Sequence, residues 1–269
     1  MKVILSRKGF DSQNGGIASP IFQDNTLISF PIPSAEDTGF DDLIHEKRTF
    51  LEMLDDLNYK QYRYGCHLDP DLDNSKRIKP VEGWFPAFGQ TSSSATYLKN
   101  NNIEPGDLFL FFGTFHRVEE VNGHLSYMKK TGNFYNDKDL NVIWGYLQIG
   151  EILDKWEDIK KVWWHSHADP YRRYDPTNTI FKALDTLSFD SSKSGAGLLT
   201  FDEKRVLTLE GATKGTWKKN SAYDVDHILC KRKNTAKDPS KGIYYSGIWQ
   251  ELMLQESEEC TEWAKYIIE

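Results

Sequence analysis

Two apolar segments in the middle of the chain place the strongest constraint on its fold. Leu108 to Phe112 is an unbroken apolar run that follows the turn Pro105-Gly106-Asp107 and ends at Gly113. Val142 to Ile149 is a second, largely apolar run that continues to Leu153. Short runs rich in aromatic and β-branched residues and bounded by turn residues are typical of buried strands. We therefore predict a β-sheet core.

Apolar residues at helical spacing predict elements that flank this sheet. They indicate helices over residues 41–58, near Ala95 to Asn100, and over the chain's last part from Gly247 to Ile268. Asn122-Gly123 is typical of a hairpin turn. The sequence contains no internal repeat and no linker that would force two domains. We predict a single α+β domain, residues 1–269, with a mixed or antiparallel sheet core and flanking helices.

Charge limits how this chain can contact nucleic acid. Its formal net charge is -7, from 33 basic and 40 acidic residues, so bulk attraction to DNA is unfavourable and any contact needs a local basic face. The most basic stretch lies between Glu203 and Lys241, with ten lysines or arginines against five acids. The alternative interpretation of such a stretch is an ordinary solvated surface.

The cysteines and the hydropathy pattern bear on location. Cys66, Cys230 and Cys260 are odd in number and far apart, and none belongs to a C-x-x-C pair, which favours a reducing compartment over a cysteine zinc site. No window approaches the roughly 18 apolar residues of a membrane span. We expect a soluble cytoplasmic protein without a membrane partner.

The loop after the first short apolar run is the least scaffold-like stretch of the chain. Two cations and a hydroxyl follow Val3 to Leu5, and three glycines come soon after. Glycine allows positive φ and close ligand approach, so backbone amides of such a loop can face an anion. The spacing matches no phosphate-loop or dinucleotide fingerprint. The candidate substrate-binding residues of this loop are Ser6, Arg7, Lys8, Gly15 and Gly16.

Two carboxylate-bearing segments are candidates for catalysis. Asp11 lies beside two cations, so it should stay ionised and can orient water or stabilise a developing cation; the alternative is a turn in which it bonds its own backbone. In the segment from Cys66 to Asp73, Pro70 keeps the preceding residue extended. His67 and Asp69 should therefore share one side while Asp71 turns away. A solvated acidic turn is the alternative for this segment. The candidate catalytic residues are Asp11, His67, Asp69 and Asp71.

Aromatic residues and histidines supply further candidates. Trp84 and Phe88 next to Gln90 can hold a planar base between them and read its edge, although aromatics are more often core. His165 and His167 share a face if extended, which suits either a pair of metal ligands or two substrate contacts. The sequence identifies no third ligand, because His116 or His67 could join them only through the tertiary fold. We therefore expect no metal and no other cofactor, and interpret both histidines as substrate-contacting or packing residues.

Pro105-Gly106-Asp107 before a strand, with Ile149-Gly150-Glu151 ending a later one, resembles the small β-barrels of the PUA, ASCH and EVE type. Many of those barrels bind RNA or modified bases. The resemblance implies a PUA-like barrel portion at about residues 102–155.

A second resemblance covers most of the chain. It rests on short motifs spread from Ser6 to Gly197, and together they resemble the third type of nucleotide-modification-associated domain, a bacterial and phage family. The motifs are Ser6-Arg7-Lys8-Gly9-Phe10-Asp11-Ser12, Gly15-Gly16, Ser19-Pro20-Ile21, Pro31-Ile32-Pro33, His67-Leu68-Asp69-Pro70-Asp71-Leu72, Phe88-Gly89-Gln90, the run from Pro105 to Gly113, the run from Trp144 to Glu151, and Gly195-Ala196-Gly197.

That resemblance implies a role with modified DNA bases in phage defence. It suggests a DNA glycosylase that excises a modified cytosine, for example glucosylated hydroxymethylcytosine, from phage DNA and leaves an abasic site. Its partner would be DNA carrying modified bases, with no obligate protein partner. Base excision needs base flipping, a grip on phosphates and stabilisation of positive charge on the sugar, for which Asp69 or Asp11 is suited. The alternatives are a non-catalytic reader of modified bases and a transferase that builds the modification.

Overall fold

A mixed β-sheet with few helices forms the framework of the molecule. The computed structural model describes residues 1–35, 38–62, 64–224, 227–229, 243–244 and 250–269. The strands of these residues are, in chain order, β1 (Val3–Arg7), β2 (Ser19–Ile21), β3 (Ile32–Pro33), β4 (Ile44–His45), β5 (Arg48–Thr49), β6 (Cys66–His67), β7 (Ala87–Gln90), β8 (Leu108–Val121), β9 (His124–Tyr127), β10 (Leu140–Leu153), β11 (Thr179–Ala183), β12 (Thr186–Leu187), β13 (Asp190–Ser194), β14 (Ala196–Leu198), β15 (Thr216–Trp217), β16 (Ile243–Tyr244) and β17 (Glu251–Met253). The helices are α1 (Phe50–Asp56), α2 (Ser92–Asn100), α3 (Phe134–Asp137), α4 (Trp156–Ile159) and α5 (Glu258–Ile268), and 3₁₀ turns occupy Asn74–Lys76, Ser166–Ala168, Pro170–Tyr174, Glu203–Arg205 and Ser221–Tyr223.

Nine strands of the described residues belong to one sheet. Six of them follow one another in the order β17-β1-β8-β10-β11-β7. Off this path, β2 and β9 pair with β8, and β14 pairs with β10. β1 and β2 run parallel to β8, whereas β10 runs antiparallel to it. The prediction of a mixed sheet in an α+β protein is therefore confirmed.

The two apolar segments that dominate the sequence form the centre of this sheet. β8 and β10 are 14 residues long, and both are buried along most of their length. Successive strand residues face opposite sides, so Leu108, Leu110 and Phe112 join one apolar core while Phe109 and Phe111 join another on the opposite face. Burial on both faces explains why these runs are apolar at nearly every position rather than alternating.

The predicted barrel at residues 102–155 is not observed. β8 and β10 lie in the interior of the strand order, which ends at β17 on one side and at β7 on the other. A barrel requires the two edges of a sheet to pair with each other. Here the free edges of the β8–β10 pair are taken by strands from distant parts of the chain, β1 and β11, so the sheet of the described residues stays open.

Two of the predicted helices are shorter than the sequence pattern indicates. Within residues 41–58 the helix begins only at Phe50, because Thr49 and Glu52 form a capping box there, and β4 and β5 form a hairpin before it. At the end of the chain, Glu251–Met253 is a strand that pairs with β1, and α5 begins after the capping residue Ser257. Burial in the sheet thus overrides helical spacing at the start of this segment.

Three further sequence predictions concern the basic stretch, the hairpin turn and membrane-spanning segments. The basic stretch between Glu203 and Lys241 lies partly outside the described residues, which omit 225–226 and 230–242. Cys230 also lies outside them. The hairpin turn at Asn122-Gly123 is present between β8 and β9, with both residues at positive φ. Among the residues described, no helix combines the length and apolar character needed to span a bilayer.

Candidate functional site

A polar cleft of about 540 Å³ lies where β1, β6 and β7 end and α2 begins. This volume falls within the range of roughly 300–1,000 Å³ that small-molecule sites occupy. The cleft therefore brings together segments that are as much as 240 positions apart in the chain, from Arg7 to Gln250. It is lined by Arg7, Lys8, Gly9, Asp11, Gln13, Asn14, Ile32, His67, Asp69, Gln90, Thr91, Ser92, Ser93, Ser94, His167, Arg172 and Gln250.

One side of the cleft is cationic. Arg7, Lys8 and Arg172 all line it. The ammonium of Lys8 lies 4.4 Å from the centre of the Phe88 ring, a cation–π contact that fixes the lysine above the core. These three cations exceed the two carboxylates of the lining, Asp11 and Asp69, by one charge, which leaves the cleft compatible with an anionic ligand despite the negative net charge of the chain.

The N-terminus of α2 adds to this anion-binding character. Ser92, Ser93 and Ser94 of its first turn line the cleft. Thr91, at the capping position, makes no side-chain hydrogen bond to that turn. Helix N-termini carry partial positive charge and outward-pointing amides, so this end of α2 reinforces the cationic side.

A buried carboxylate supports the cationic side from below. Glu251 is 3% exposed, and its Oε1 accepts hydrogen bonds from Gln90 Nε2 at 2.6 Å and Ser6 Oγ at 3.0 Å. Lys8 Nζ lies 3.5 Å from the same oxygen. Burial raises the pKa of Glu251, while Lys8, Ser6 and Gln90 oppose that shift. Glu251 thus holds the lysine and the glutamine that face the cleft.

Asp69 forms the centre of a carboxylate–imidazole cluster in the same cleft. Its side chain is 2% exposed and lies close to three imidazoles. The Nε2 atoms of His67 and His167 lie 3.7 Å and 4.0 Å from Oδ2, and Nε2 of His165 lies 3.4 Å from Oδ1. The backbone N–H of Gly89 donates to Oδ1 at 2.6 Å. Four groups from three segments of the chain therefore converge on one carboxylate.

The hydrogen bonds of two histidines define their tautomers. Nδ1 of His165 accepts from the backbone N–H of His167, so in the neutral ring the proton lies on Nε2, which faces Asp69. The amide of Asn178 donates to the carbonyl oxygen of His167 at 2.9 Å, which turns Asn178 Oδ1 toward His167 Nδ1 at 2.7 Å. Nδ1 of His167 must therefore donate, and its Nε2 carries a lone pair that faces Asp69.

Gly89 makes the close approach of His167 possible. A Cβ atom at position 89 would lie 2.2 Å from Cδ2 and 2.4 Å from Cγ of the His167 ring, far inside van der Waals contact. The same residue supplies the amide that binds Asp69. Glycine at this position therefore serves both members of the cluster.

The cluster shifts the titration of its members. Burial alone would raise the pKa of Asp69, but the adjacent imidazoles of His165 and His67 hold this pKa well below its usual range. Burial lowers the pKa of His167 to about 3, because desolvation penalises the imidazolium form. The nitrogen of His165 that faces Asp69 has no well-aligned hydrogen bond within the described part of the chain, so that contact is electrostatic.

The other candidate carboxylates have different surroundings. Oδ1 of Asp11 accepts from the backbone amides of Gln13 and Asn14, at 2.7 Å and 2.8 Å, and Arg7 Nη1 lies 3.2 Å from Oδ2. Asp11 lines the cleft, yet it forms the Asx turn that the sequence allowed as an alternative. Asp71 does turn away from Asp69, and it does not line this cleft.

The remaining predicted residues divide between the cleft and the core. Arg7, Lys8, Gln90, His67 and His167 line the cleft, and His165 contacts it through Asp69. Gly15 and Gly16 have positive φ in the neighbouring loop.

The two predicted base-holding aromatics and Ser6 do not line the cleft. Phe88 is fully buried among other phenylalanine rings, and Ser6 is buried against Glu251. Trp84 bonds Asp71 and stacks near Trp164. The residues predicted to hold a base between two rings thus belong to the scaffold around the cleft.

Sequence reasoning missed Glu251, Gly89 and Asn178. A carboxylate inside the apolar run Glu251-Leu252-Met253-Leu254 could have indicated a buried functional or supporting group. Gly89 and Asn178 carry no comparable signal, because their roles depend on the position of His167, which the tertiary fold determines.

The fold and the cleft together define a class of protein: an α+β protein with an open mixed sheet and a polar cleft suited to an anionic ligand. A family model described as nucleotide modification associated domain 3 matches residues 2–255. The chain belongs to this family, as the motifs in its sequence predicted. Comparisons with curated proteins and with solved structures give no match.

Proposed function

We propose that this protein is a DNA glycosylase that excises a modified cytosine, such as glucosylated hydroxymethylcytosine, from phage DNA. Membership in a family associated with nucleotide modification supports a substrate of this class. The observation that carries the proposal is the convergence of a cationic, amide-rich side and a buried carboxylate–imidazole cluster in one cleft. Excision of a base from a nucleotide requires both kinds of group: the cations and amides bind phosphate, and the carboxylate–imidazole cluster acts at the sugar.

In this proposal, the target nucleotide leaves the base stack and enters the cleft. Arg7, Lys8 and Arg172, together with the N-terminus of α2, bind its phosphates. Gln90 lines the same cleft, and an amide can donate to and accept from the edge of a base. Glu251 keeps Gln90 and Lys8 in position from beneath.

Asp69 acts at the glycosidic bond. As that bond breaks, the bonding electron pair leaves with the base and positive charge develops on the deoxyribose. An ionised carboxylate stabilises this charge and orients a water molecule toward C1′, and an imidazole of the cluster accepts the proton that the water loses and passes it to the departing base. The products are the free base and an abasic site.

Water is the nucleophile that the cleft favours. Lys8, the lysine that lines the cleft, lies 3.5 Å from Glu251 and above the ring of Phe88. An amine held against a carboxylate and an aromatic ring is poorly placed to attack the sugar. We therefore expect base excision without intrinsic cleavage of the DNA strand.

The test uses the purified full chain and end-labelled oligonucleotides that carry cytosine, hydroxymethylcytosine or glucosylated hydroxymethylcytosine. We expect free base and an alkali-labile abasic site with modified DNA alone. Asp69→Asn should lower the excision rate by at least about 100-fold, since positioned acid–base groups contribute factors of this order. Asn keeps the oxygen that accepts from Gly89, so the variant should fold.

Asp139→Asn is the matched control. Asp139 also pairs with a histidine, His116, at 2.8 Å, but it does not line the cleft. It should excise at the wild-type rate. Intact DNA in every reaction would refute the glycosylase and favour a reader if modified DNA is still bound. A donor-dependent gain of mass would instead favour a transferase.

A further inference from the structure

We propose that His67, Asp69 and His167 form a binding centre for a divalent first-row transition-metal ion. The inference goes beyond the proposed excision activity, because binding of the ion requires no DNA. It rests on the positions of three ligand atoms, on the groups that orient them, and on their exposure to the cleft.

The three ligand atoms lie close enough to share one ion. One nitrogen from each histidine and one oxygen of Asp69 all lie within 4.8 Å of one another. Nε2 of His67 and Nε2 of His167 lie 3.7 Å and 4.0 Å from Oδ2 of Asp69. Ligands bound at about 2.1 Å to a common ion lie roughly 3.0–3.4 Å apart, so side-chain movements of about half an ångström would complete the site.

The orientation of His167 suits a metal ligand. Asn178 fixes the Nδ1 proton of His167, so Nε2 presents a lone pair toward Oδ2 of Asp69. Two acceptors that face each other at 4.0 Å can both bind a cation placed between them. A second-shell hydrogen bond to the far nitrogen is also how metal-binding histidines are normally held.

Asp69 is held in a way that leaves one oxygen for the ion. Oδ1 accepts from the amide of Gly89 and faces the protonated nitrogen of His165. Oδ2 is the oxygen that faces His67 and His167. The carboxylate thus has one oxygen oriented by its surroundings and one directed at the two candidate ligands.

The ligand set selects the class of ion. Two imidazoles and one carboxylate suit zinc, iron, cobalt or manganese, whereas calcium and magnesium prefer oxygen ligands throughout. His67, Asp69 and His167 all line the cleft, so the remaining coordination positions would open onto it. Three protein ligands with an open position are typical of catalytic rather than structural sites. Such an ion would bind the water that a reaction in this cleft consumes.

The test measures metal binding without DNA. The full chain is stripped with a chelator, dialysed and titrated by calorimetry with Zn²⁺, Mn²⁺ and Co²⁺, and with Fe²⁺ under anaerobic conditions. We expect one ion per chain for at least one of these metals, and visible absorption bands when Co²⁺ binds. Asp69→Asn and His67→Gln should each abolish this stoichiometric binding.

His116→Gln is the matched control. His116 also contacts a carboxylate, Asp139, but it lies outside the cleft, so binding should be unchanged. The inference fails if the stripped wild type binds none of the four ions. It also fails if Asp69→Asn and His67→Gln bind as the wild type does, or if His116→Gln abolishes binding instead. Circular dichroism and thermal unfolding check that each variant is folded.

Binding and excision fail in distinguishable ways. Metal binding without release of base would leave the centre in place and refute the glycosylase. Excision by chelator-treated protein that binds no ion would refute the centre and leave Asp69 acting directly on the sugar.

Discussion

Asp69 and Asp71 lie two positions apart, and their surroundings differ in almost every respect. Asp69 lies in the cleft, contacts three imidazoles and accepts from the backbone of Gly89. Asp71 Oδ2 lies 2.7 Å from Arg77 Nη1 and accepts from Trp84 Nε1 at 3.0 Å. The Arg77 contact is a close ion pair rather than an aligned hydrogen bond.

The backbone explains this difference. Residue 71 pairs with Ala87 in an isolated bridge, and the amide of Gly89 reaches Asp69. Residues two positions apart in a regular strand face the same side, so the separation of the two carboxylates comes from the bend at Pro70 between them. One carboxylate enters the cleft, and the other enters a pocket beside Leu72.

Their titration differs accordingly. The imidazoles hold the pKa of Asp69 low against the effect of burial, whereas burial raises the pKa of Asp71 in spite of Arg77. A buried carboxylate paired with one arginine is scaffold; one surrounded by imidazoles in a cleft is available for chemistry.

The largest expected effect comes from Gly89→Ala. The added Cβ would overlap the ring of His167 and displace it from Asp69. We expect excision to fall by more than about 100-fold, as for other losses of acid–base geometry. Metal binding by the same variant should be lost. Rates from abasic-site formation and titration of Co²⁺ measure the two effects.

Gly145→Ala is the control on the Asp71 side. Its Cβ would meet the flexible end of Leu72, at 2.8 Å, and not the cleft. This variant should keep metal binding and excision even if it is less stable. Equal loss in both variants would show that general crowding, and not the displacement of His167, causes the defect.

The same isosteric change at the two aspartates should separate function from stability. Asp71→Asn leaves Arg77 without its charge partner, and breaking such a buried pair costs about 3 kcal/mol. Asp69→Asn should cost less, because its Oδ1 keeps the Gly89 amide, although the low pKa of Asp69 means that the folded state favours the ionised carboxylate that this variant lacks. Denaturant unfolding of both variants gives the free energies. A larger loss of stability for Asp69→Asn would reverse the assignment of scaffold and site.

Asn178→Ala should have a smaller effect, on metal affinity alone. Without the amide, the Nδ1 proton of His167 is no longer fixed, and loss of such a second-shell partner typically weakens binding by about 10- to 100-fold. Asn178→Asp keeps an acceptor for Nδ1 and should restore most of the affinity. Calorimetric titration compares the three proteins. Equal affinities for Asn178→Ala and the wild type would show that His167 is oriented by other contacts.

The central strands could be predicted from the sequence because a strand buried on both faces is apolar at nearly every position. The open sheet could not be predicted, because the outer edge of β8 pairs with β1, a strand more than 100 residues away in the chain. The helix predicted over 41–58 was too long because the capping box at Thr49 and Glu52 sets its start.

In the site, too, local features could be predicted from the sequence and contacts between distant segments could not. The prediction that Asp71 turns away from Asp69 is correct, but the cause is the bend at Pro70, because strand alternation would place residues two positions apart on one face. The approach of His67 to His167 is not local, so no third metal ligand could be identified from the sequence. Phe88 was predicted to hold a base, but its local aromatic environment could equally form a core, and it does.

The smallest expected effect is on DNA binding, when one positive charge is removed beside Asp69 or beside Asp71. Arg172 lines the cleft of Asp69, and Lys76 lines the pocket of Asp71. If DNA phosphates bind in the cleft, Arg172→Met should weaken DNA binding and reduce the salt dependence of the binding constant by about one phosphate contact. Lys76→Met removes the same charge and should leave that dependence unchanged. Fluorescence anisotropy over a range of salt concentrations measures both, and equal losses would mean that DNA binds through the overall field of the protein rather than through the cleft.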